Sequence, residues 1–388
     1  MKLPEWAAGL IERFENNGFE AYAVGGCVRD MLLGHSPGDY DFTVSSLPEE
    51  TKTVLEGLPV YDTGLRHGTV TAIVDGHLAE ITTYRTESGY SDFRRPDQVS
   101  FTRSLEKDLS RRDFTVNAMA FHPQKGLVDC FGGRADLQNR LLRCVGDPDK
   151  RFQEDALRLL RCLRFSAVLG FTVEKETQKA LFAHKELLRE IAPERIQAEF
   201  SKLILGQGGE SVLTEYRQVI DTFLPEAGFR QEPLDRLPPE RQLRLAGVFS
   251  GCTPGEAERA MKRLRYDNKT IRTVAVLEQY RGIPLEKIRS QVRKLVNALG
   301  METTESLLRF RREPALLGLL EEIRHQNLCC SLNQLAVSGE DLIRLGYPEG
   351  RKIGKTLDRL LQLVLEETME NSKEFLLKQA ESWLKYDS

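Results

Sequence analysis

Residues Val24-Gly25-Gly26-Cys27-Val28-Arg29-Asp30-Met31-Leu32-Leu33-Gly34, followed by Gly38-Asp39-Tyr40-Asp41-Phe42-Thr43-Val44, decide how the chain is read. In the second stretch Tyr40, Phe42 and Val44 alternate with Asp39, Asp41 and Thr43, the period-two pattern of a half-buried strand. The alternation sends Asp39 and Asp41 to one face, roughly 7 Å apart along the backbone, while the apolar set anchors the strand in a core. Two carboxylates so placed repel each other unless a cation lies between them. Mg²⁺, a hard ion held by few carboxylates together with substrate phosphates, suits that pair.

The first stretch offers those phosphates a seat. Gly25 and Gly26 follow a short apolar strand, Ala21 to Val24, and an amphipathic helix is expected to open near Cys27. Backbone N–H groups and a helix N-terminus then face an anion, and Arg29 adds a fixed positive charge. A Gly-Gly pair alone is as readily a tight turn, and an Asp-X-Asp alone a solvated strand edge. Side by side, with Arg29 and Asp30 between them, they point to a metal and phosphate site.

With 388 residues the chain has room for about two to four domains, each with its own core. Its 40% hydrophobic and 29% charged content is that of a soluble globular protein. No apolar run approaches the roughly 18 residues that span a bilayer, so no membrane partner is expected. The first helix candidate, with Trp6, Leu10, Ile11 and Phe14 at helical spacing, is interrupted by Glu5, Glu12, Arg13 and Glu15 and does not read as a signal peptide. The seven cysteines, at positions 27, 130, 144, 162, 252, 329 and 330, show no C-x-x-C spacing, and the six histidines form neither a His-Asp pair nor H-E-x-x-H. That argues against a disulfide framework, a zinc site or a histidine-based metal hydrolase, and for a reducing, cytoplasmic location. A net charge of −3 leaves any nucleic-acid contact to local patches.

Further along, Pro48 starts a helix, and strands are expected over Thr69–Val74 and His77–Tyr84, joined by the hairpin signal Asp75-Gly76. Glu80 lies within the second of these, where a carboxylate faces either solvent or a metal shared with Asp39 and Asp41. Residues 86–104 read as a long loop. Leu105 to Ala120 reads as a helix carrying Arg111-Arg112-Asp113, a cluster that alone suggests a solvated charged face. Over 151–169, Asp155, Arg158, Arg161 and Arg164 recur every three residues among Leu157, Leu159, Leu160, Leu163 and Phe165, a charged stripe lining either a cleft or open solvent. From about residue 175 the pattern is helical to the end. Between Glu256 and Lys294, eleven Lys and Arg stand against five Asp and Glu, an excess suited to a phosphate backbone.

Taken together, Gly25-Gly26-x-Val28-Arg29-Asp30 with Asp39-x-Asp41, then Arg111-Arg112-Asp113-Phe114-Thr115-x-Asn117, then Glu154-Asp155-x-x-Arg158, resemble in order and spacing the class II tRNA nucleotidyltransferases. That family holds the bacterial and eukaryotic CCA-adding enzymes, their A-adding and CC-adding relatives, and the bacterial poly(A) polymerases. The resemblance implies an α+β fold, a polymerase-β-like nucleotidyltransferase head with a β-sheet followed by an all-helical neck, body and tail. The expected segments are a catalytic head over 1–130, a base-recognising neck over 131–205, and a tRNA-binding body and tail over 206–325 and 326–388. It further implies Mg²⁺ on Asp39 and Asp41, the triphosphate on Gly26 and Arg29, and the incoming nucleotide on Arg112, Asp155, Arg158, Arg161 and Arg164. Glu80 joins the two aspartates as a candidate catalytic carboxylate.

The implied reaction is template-independent addition of C, C and A to tRNA 3′ ends from CTP and ATP, with release of pyrophosphate. Cytosine and adenine both offer an exocyclic amino donor beside a ring-nitrogen acceptor, which an Asp and an Arg fork complement. Asp155 and Arg158 can therefore serve as a protein template, and a wrong base that left a buried charge unpaired would be rejected by about 10⁴. Residues 89–96, with Asp92, Arg94 and Arg95, resemble the family's flexible loop, which the CC-adding enzymes lack. Residues 61–70 resemble the CCA-adding form rather than the Arg-rich poly(A) polymerases, and no histidine-aspartate phosphohydrolase domain follows. The other readings are an A-adding enzyme, a poly(A) polymerase, and a catalytically silent RNA-binding protein, which a lost Asp39, Asp41 or Arg158 would betray. The sequence leaves a protein partner open.

Overall fold

The computed structural model describes residues 1–64, 67–89, 98–227 and 233–386. They fall into two compact units, one of Met1–Ala227 with Arg263–Arg265, the other of Gly228–Lys262 with Tyr266–Ser388. The fold is α+β, a sheet-bearing head followed by helices.

In the first unit the elements run α1 Glu5–Asn16, β1 Ala21–Val24, α2 Gly26–Leu32, β2 Tyr40–Val44, α3 Pro48–Val54, β3 Val60–Gly64, β4 Thr69–Val74 and β5 His77–Thr83. The hairpin β6 Arg85–Ser88 and β7 Gln98–Phe101 follows, then α4 Leu105–Ser110, β8 Met119–His122, β9 Gly126–Asp129, α5 Gly133–Gln138 and β10 Leu141–Leu142. Next come α6 Pro148–Glu154, α7 Leu157–Leu169, β11 Thr172–Val173, α8 Lys175–Ala183 and α9 Pro193–Leu205. Seven strands form one sheet in the order β3-β4-β5-β2-β1-β8-β9, in which only β2 and β5 pair in parallel. The β4–β5 turn carries Asp75 at φ 49° and Gly76 at φ 80°, the doubly left-handed geometry that an Asp-Gly pair accommodates.

Helix α1 buries Ala7, Leu10, Ile11 and Phe14, the i, i+3, i+4, i+7 set of an amphipathic helix. Its Trp6 stacks on His77 with ring centroids 4.8 Å apart and meets Tyr40 and Phe42 edge-on. This seals the Phe42 side of β2, so Asp41, alternating with Phe42, emerges on the other face.

Several sequence expectations are corrected. The strand begins at Tyr40, not Asp39. Its Thr43 is buried rather than solvated, because Asp108 covers it. The expected helix over 105–120 stops at Ser110, and a 3₁₀ turn over Thr115–Asn117 leads into β8. Residues 86–104 are not wholly loop, since β6 and β7 pair in register from Arg85↔Phe101 to Ser88↔Gln98. Asp92, Arg94 and Arg95 lie outside the described residues.

The second unit is helical, with no strand among its described residues. Leu342, Leu360, Leu361, Val364, Leu365, Leu376 and Ala380 form a core in its last third, where the Tyr347 hydroxyl donates to the Ala380 carbonyl at 2.8 Å. The cationic stretch 256–294 is largely neutralised in space. Lys269 pairs with Glu302, Lys287 with Glu313, Arg289 with Glu367, and Lys294 with Glu366, all acids from outside the stretch. Among the described residues Cys27, Cys130, Cys144, Cys162, Cys329 and Cys330 carry free thiols, and no helix is long and apolar enough to cross a membrane.

Candidate active site

The site starts from strand register. In the parallel pair β2–β5, Asp41 stands opposite Glu80, so both side chains leave the same sheet face from neighbouring strands, roughly 4.8 Å apart at the backbone. Asp39 sits just ahead of β2, and all three carboxylates are exposed. The surrounding protein raises the Asp41 pKa, and Glu80 and Asp39 push the same way while Arg112 opposes them. Such a group gains from a cation. Among the described residues no three His, Cys, Asp or Glu side chains converge enough to cage a metal ion unaided. The donors fit an ion held by two carboxylates and completed by substrate oxygens.

Asp41 also stands opposite Val24, the last residue of β1, which places the Gly25-Gly26 turn beside the carboxylates. Gly25 adopts φ 80°, ψ −128°, and its N–H donates to the Met119 carbonyl at 3.1 Å. A Cβ on Gly25 would lie 3.0 Å from Arg112 Nη1, and one on Gly26 would lie 3.7 Å from Arg29 Nη2. Gly25 thus lets the Arg112 guanidinium close onto the backbone, whereas at Gly26 a side chain would meet Arg29 at an ordinary contact distance. Because α2 spans only seven residues, those guanidinium groups, rather than a helix dipole, dominate the local field.

Arg29 is locked by Asp30 Oδ1 at 2.8 Å and Asn117 Oδ1 at 2.7 Å, with its guanidinium over the Phe165 ring. Arg112 is differently held. Its nearest carboxylate is Asp108, at 3.8 Å, and its buried Nε has no acceptor among the described residues. Burial lowers its pKa, against the pull of Asp108. The Arg-Arg-Asp cluster is therefore not a solvated face. Asp108 is wholly buried and Asp113 nearly so.

The stripe expected over 151–169 is interrupted. Helix α6 ends at Glu154, Asp155 is extended at φ −138°, ψ 101°, and α7 begins at Leu157. Asp155 and Arg158 are therefore not successive turns of one helix. Asp155 Oδ1 accepts from the Leu157 N–H at 3.1 Å, and both its oxygens lie 3.3 Å from Arg195 Nη2. Arg158 is buried, bonded to Glu154 at 2.8 Å and to the Arg151 and Arg111 carbonyls at 3.1 and 3.0 Å. Arg161 clasps Asp113 Oδ2 through Nε at 2.9 Å and Nη2 at 2.5 Å. Burial pushes the Asp113 carboxyl up, but Arg161, Asn117 and Arg158 outweigh it and hold it at about 2. Arg164 faces Glu199 at 3.0 Å and lies 4.0 Å above the Phe165 ring.

The structure thus brings Asp39, Asp41, Glu80, Gly26, Arg29 and Arg112 to one cradle. It ties Arg158 and Arg161 to the Arg111–Asp113 stretch behind that cradle. Sequence reasoning missed Asp108, Arg195, Glu199 and the role of Phe165. Asp108 precedes Arg112 by one helical turn, a spacing that could have flagged it; Phe165 carries no such sign, being one apolar residue among many.

The chain matches the family model described as the poly A polymerase head domain over residues 21–143. Residues 170–227 match the "Probable RNA and SrmB- binding site of polymerase A", and 245–380 a tRNA nucleotidyltransferase domain 2. The CCA-adding enzyme of Latilactobacillus sakei is 38% identical over 408 residues, covering 97% of this chain and 98% of that protein. That of Pediococcus pentosaceus is 36% identical over 391 residues, with 96% of each covered. The crystal structure of the Bacillus stearothermophilus CCA-adding enzyme in complex with CTP superposes with a TM-score of 0.84 at 30% identity, covering 100% of this chain and 99% of that one. With carboxylates, glycine cradle and arginines in place and full-length relatives above 30% identity, the chain belongs to the CCA-adding enzymes, a family of tRNA nucleotidyltransferases.

Proposed function

We propose that this chain adds C, C and A, one nucleotide at a time and without a nucleic-acid template, to tRNA 3′ ends, using CTP and ATP and releasing pyrophosphate. The observation that carries the reading is the in-register pair Asp41–Glu80 beside a Gly25-Gly26 turn that Arg112 Nη1 overhangs, the buried Nε of the same guanidinium having no acceptor among the described residues. Nucleotidyltransferases of this family generally use a divalent metal, and we read it here as Mg²⁺ held by Asp39 and Asp41, with Glu80 as the neighbouring third carboxylate. When bound, the metal lowers the pKa of the RNA terminal hydroxyl and neutralises the departing pyrophosphate.

The chain's own residues do the rest. Gly26 and the guanidinium groups of Arg29 and Arg112 seat the triphosphate, and their fixed charge favours the transition state as negative charge grows on its oxygens. Asp155 and Arg158 select the base, with Arg161 and Arg164 supporting them from α7. Base recognition requires Asp155 to leave Arg195, or to share it, because its oxygens face Arg195 in the free enzyme. The tRNA is held by shape and backbone on the helical body and tail, 206–325 and 326–388, which follow in sequence a head over 1–130 and a neck over 131–205. Such an enzyme works in the cytoplasm.

The test offers CTP and ATP with Mg²⁺ to three tRNAs, ending before the first terminal C, after it, and after the second C. Extension of all three to a full CCA end is expected. Extension of the last alone, by one A, would reduce the activity to A addition. A long A tail would make the chain a poly(A) polymerase, and no extension would overturn the proposal.

A further inference from the structure

Asp108 is a fully buried carboxylate to which the mechanism above gives no task. Its Oδ1 accepts from the Arg85 N–H at 3.2 Å and from Arg111 Nε and Nη2 at 3.0 and 2.9 Å. Its Oδ2 accepts from the Thr43 hydroxyl at 3.1 Å and faces Arg112 Nη2 at 3.8 Å. Thr43 lies on β2, two residues beyond Asp41, and Arg85 opens β6. Arg111 and Arg85 also converge on Glu87 Oε1, at 3.0 and 2.9 Å.

We infer that Asp108 is a positioning residue that fixes the Arg112 guanidinium over the Gly25-Gly26 turn, registering it against the Asp41 strand and the base of the β6–β7 hairpin. The inference rests on the reading of that turn as the triphosphate seat. Among the described residues Arg112 makes no ion pair shorter than the 3.8 Å to Asp108, so its place above Gly25 is set by the Asp108 charge behind it and the glycine backbone in front. A buried carboxylate satisfied by one hydroxyl, one backbone N–H and one guanidinium fork is stiff, because moving it leaves each of those groups unpaired. The arrangement keeps the Arg112 donors free for a ligand while preventing the guanidinium from wandering. A shift of about 1 Å in such a group can cost on the order of 10²-fold in rate. Burial alone would raise the Asp108 pKa, yet Arg111 and Arg112 hold it below the ordinary carboxylate value, consistent with a permanent anion.

The test is a double-mutant cycle of Asp108→Asn and Arg112→Ala in the full chain, read by CTP affinity in calorimetry with Mg²⁺ and by single-turnover incorporation. Asp108→Asn keeps the shape and an acceptor but removes the charge. It should weaken CTP about tenfold or more and slow incorporation, while tRNA affinity stays within about twofold. In the Arg112→Ala background the same change should add less than about twofold, because its effect runs through Arg112. Equal effects in both backgrounds, or a parallel loss of tRNA affinity, would reduce Asp108 to a structural residue and overturn the inference. If Asp108→Asn fails to fold, Thr43→Val, which removes one bond to Oδ2, carries the same cycle. Wild-type chain that binds CTP without incorporating it would overturn the proposed function and leave the cycle readable, whereas wild type that binds no CTP would overturn both.

Discussion

Arg112, above the Gly25-Gly26 turn, and Arg158 and Arg161 on α7 carry the same charge within one unit and are held in opposite ways. On α7, Arg158 and Arg161 spend their donors on Glu154, Asp113 and backbone carbonyls, and Arg164 leans on Glu199 and Phe165. These contacts span up to 48 residues and bolt α7 to the Arg111–Asp113 stretch. Arg112, by contrast with Arg158 and Arg161, is placed by burial and by a carboxylate 3.8 Å away, and its buried Nε, like that of Arg164, has no acceptor among the described residues. An arginine whose hydrogen bonds are made internally contributes architecture, and Arg158 must give up or share some of its bonds before it can read a base. One whose bonds are withheld has binding capacity left, at a cost in stability that a ligand offsets.

Experiments can break this contrast. The largest expected effect is at the carboxylates: Asp41→Ala should slow single-turnover incorporation by at least about 10³-fold with an unchanged melting curve, and a rate within tenfold of wild type would remove Asp41 from the chemistry. Arg161→Ala should act mainly on stability. Removing the guanidinium partner of buried Asp113, which would keep only Asn117 and the Phe114 N–H as donors, should cost about 3–5 kcal/mol in urea unfolding, and a loss under about 1 kcal/mol would show that α7 is held by packing alone.

The same pair predicts a pH dependence. Asp113 titrates at about 2 in the folded chain and near 3.9 when unfolded, so its contribution is complete above about pH 4 and is lost as pH falls toward 2. The size is on the order of 2 kcal/mol. Asp113→Asn should flatten that part of the stability curve, and an unaltered slope would refute the assignment.

Gly25→Ala probes the other side of the comparison. Forcing a Cβ into φ 80°, 3.0 Å from Arg112, should cost about 1–3 kcal/mol of stability and weaken CTP more than tRNA. The smallest effect lies in the second unit, where Arg259 and Arg272 are exposed and have no ion pair among the described residues, whereas Lys269 pairs with Glu302. Arg272→Gln should lower the salt slope of tRNA binding by about 1, and Lys269→Gln by less. The reverse order would mean that in-chain pairing does not decide which cations meet RNA.

What the sequence by itself determined were properties set within a few residues. The strand over Tyr40–Val44 with Asp41 on the face opposite Phe42, the left-handed Asp75-Gly76 turn and the spacing of Leu10, Ile11 and Phe14 follow from backbone period and sterics, and the first departs from its reading only at Asp39 and Thr43. The motif order was enough to place the family, because those residues must each be present whatever surrounds them. Only the tertiary structure decided which charges are spent. Asp41 finds Glu80 through a register set 39 residues away, Asp108 is covered by Thr43 and two arginines, and the +6 stretch is cancelled by acids from elsewhere in the chain. Periodicity is a local property, but a charge is neutralised by whatever the fold brings within about 4 Å, and that partner is invisible until the chain has closed on itself.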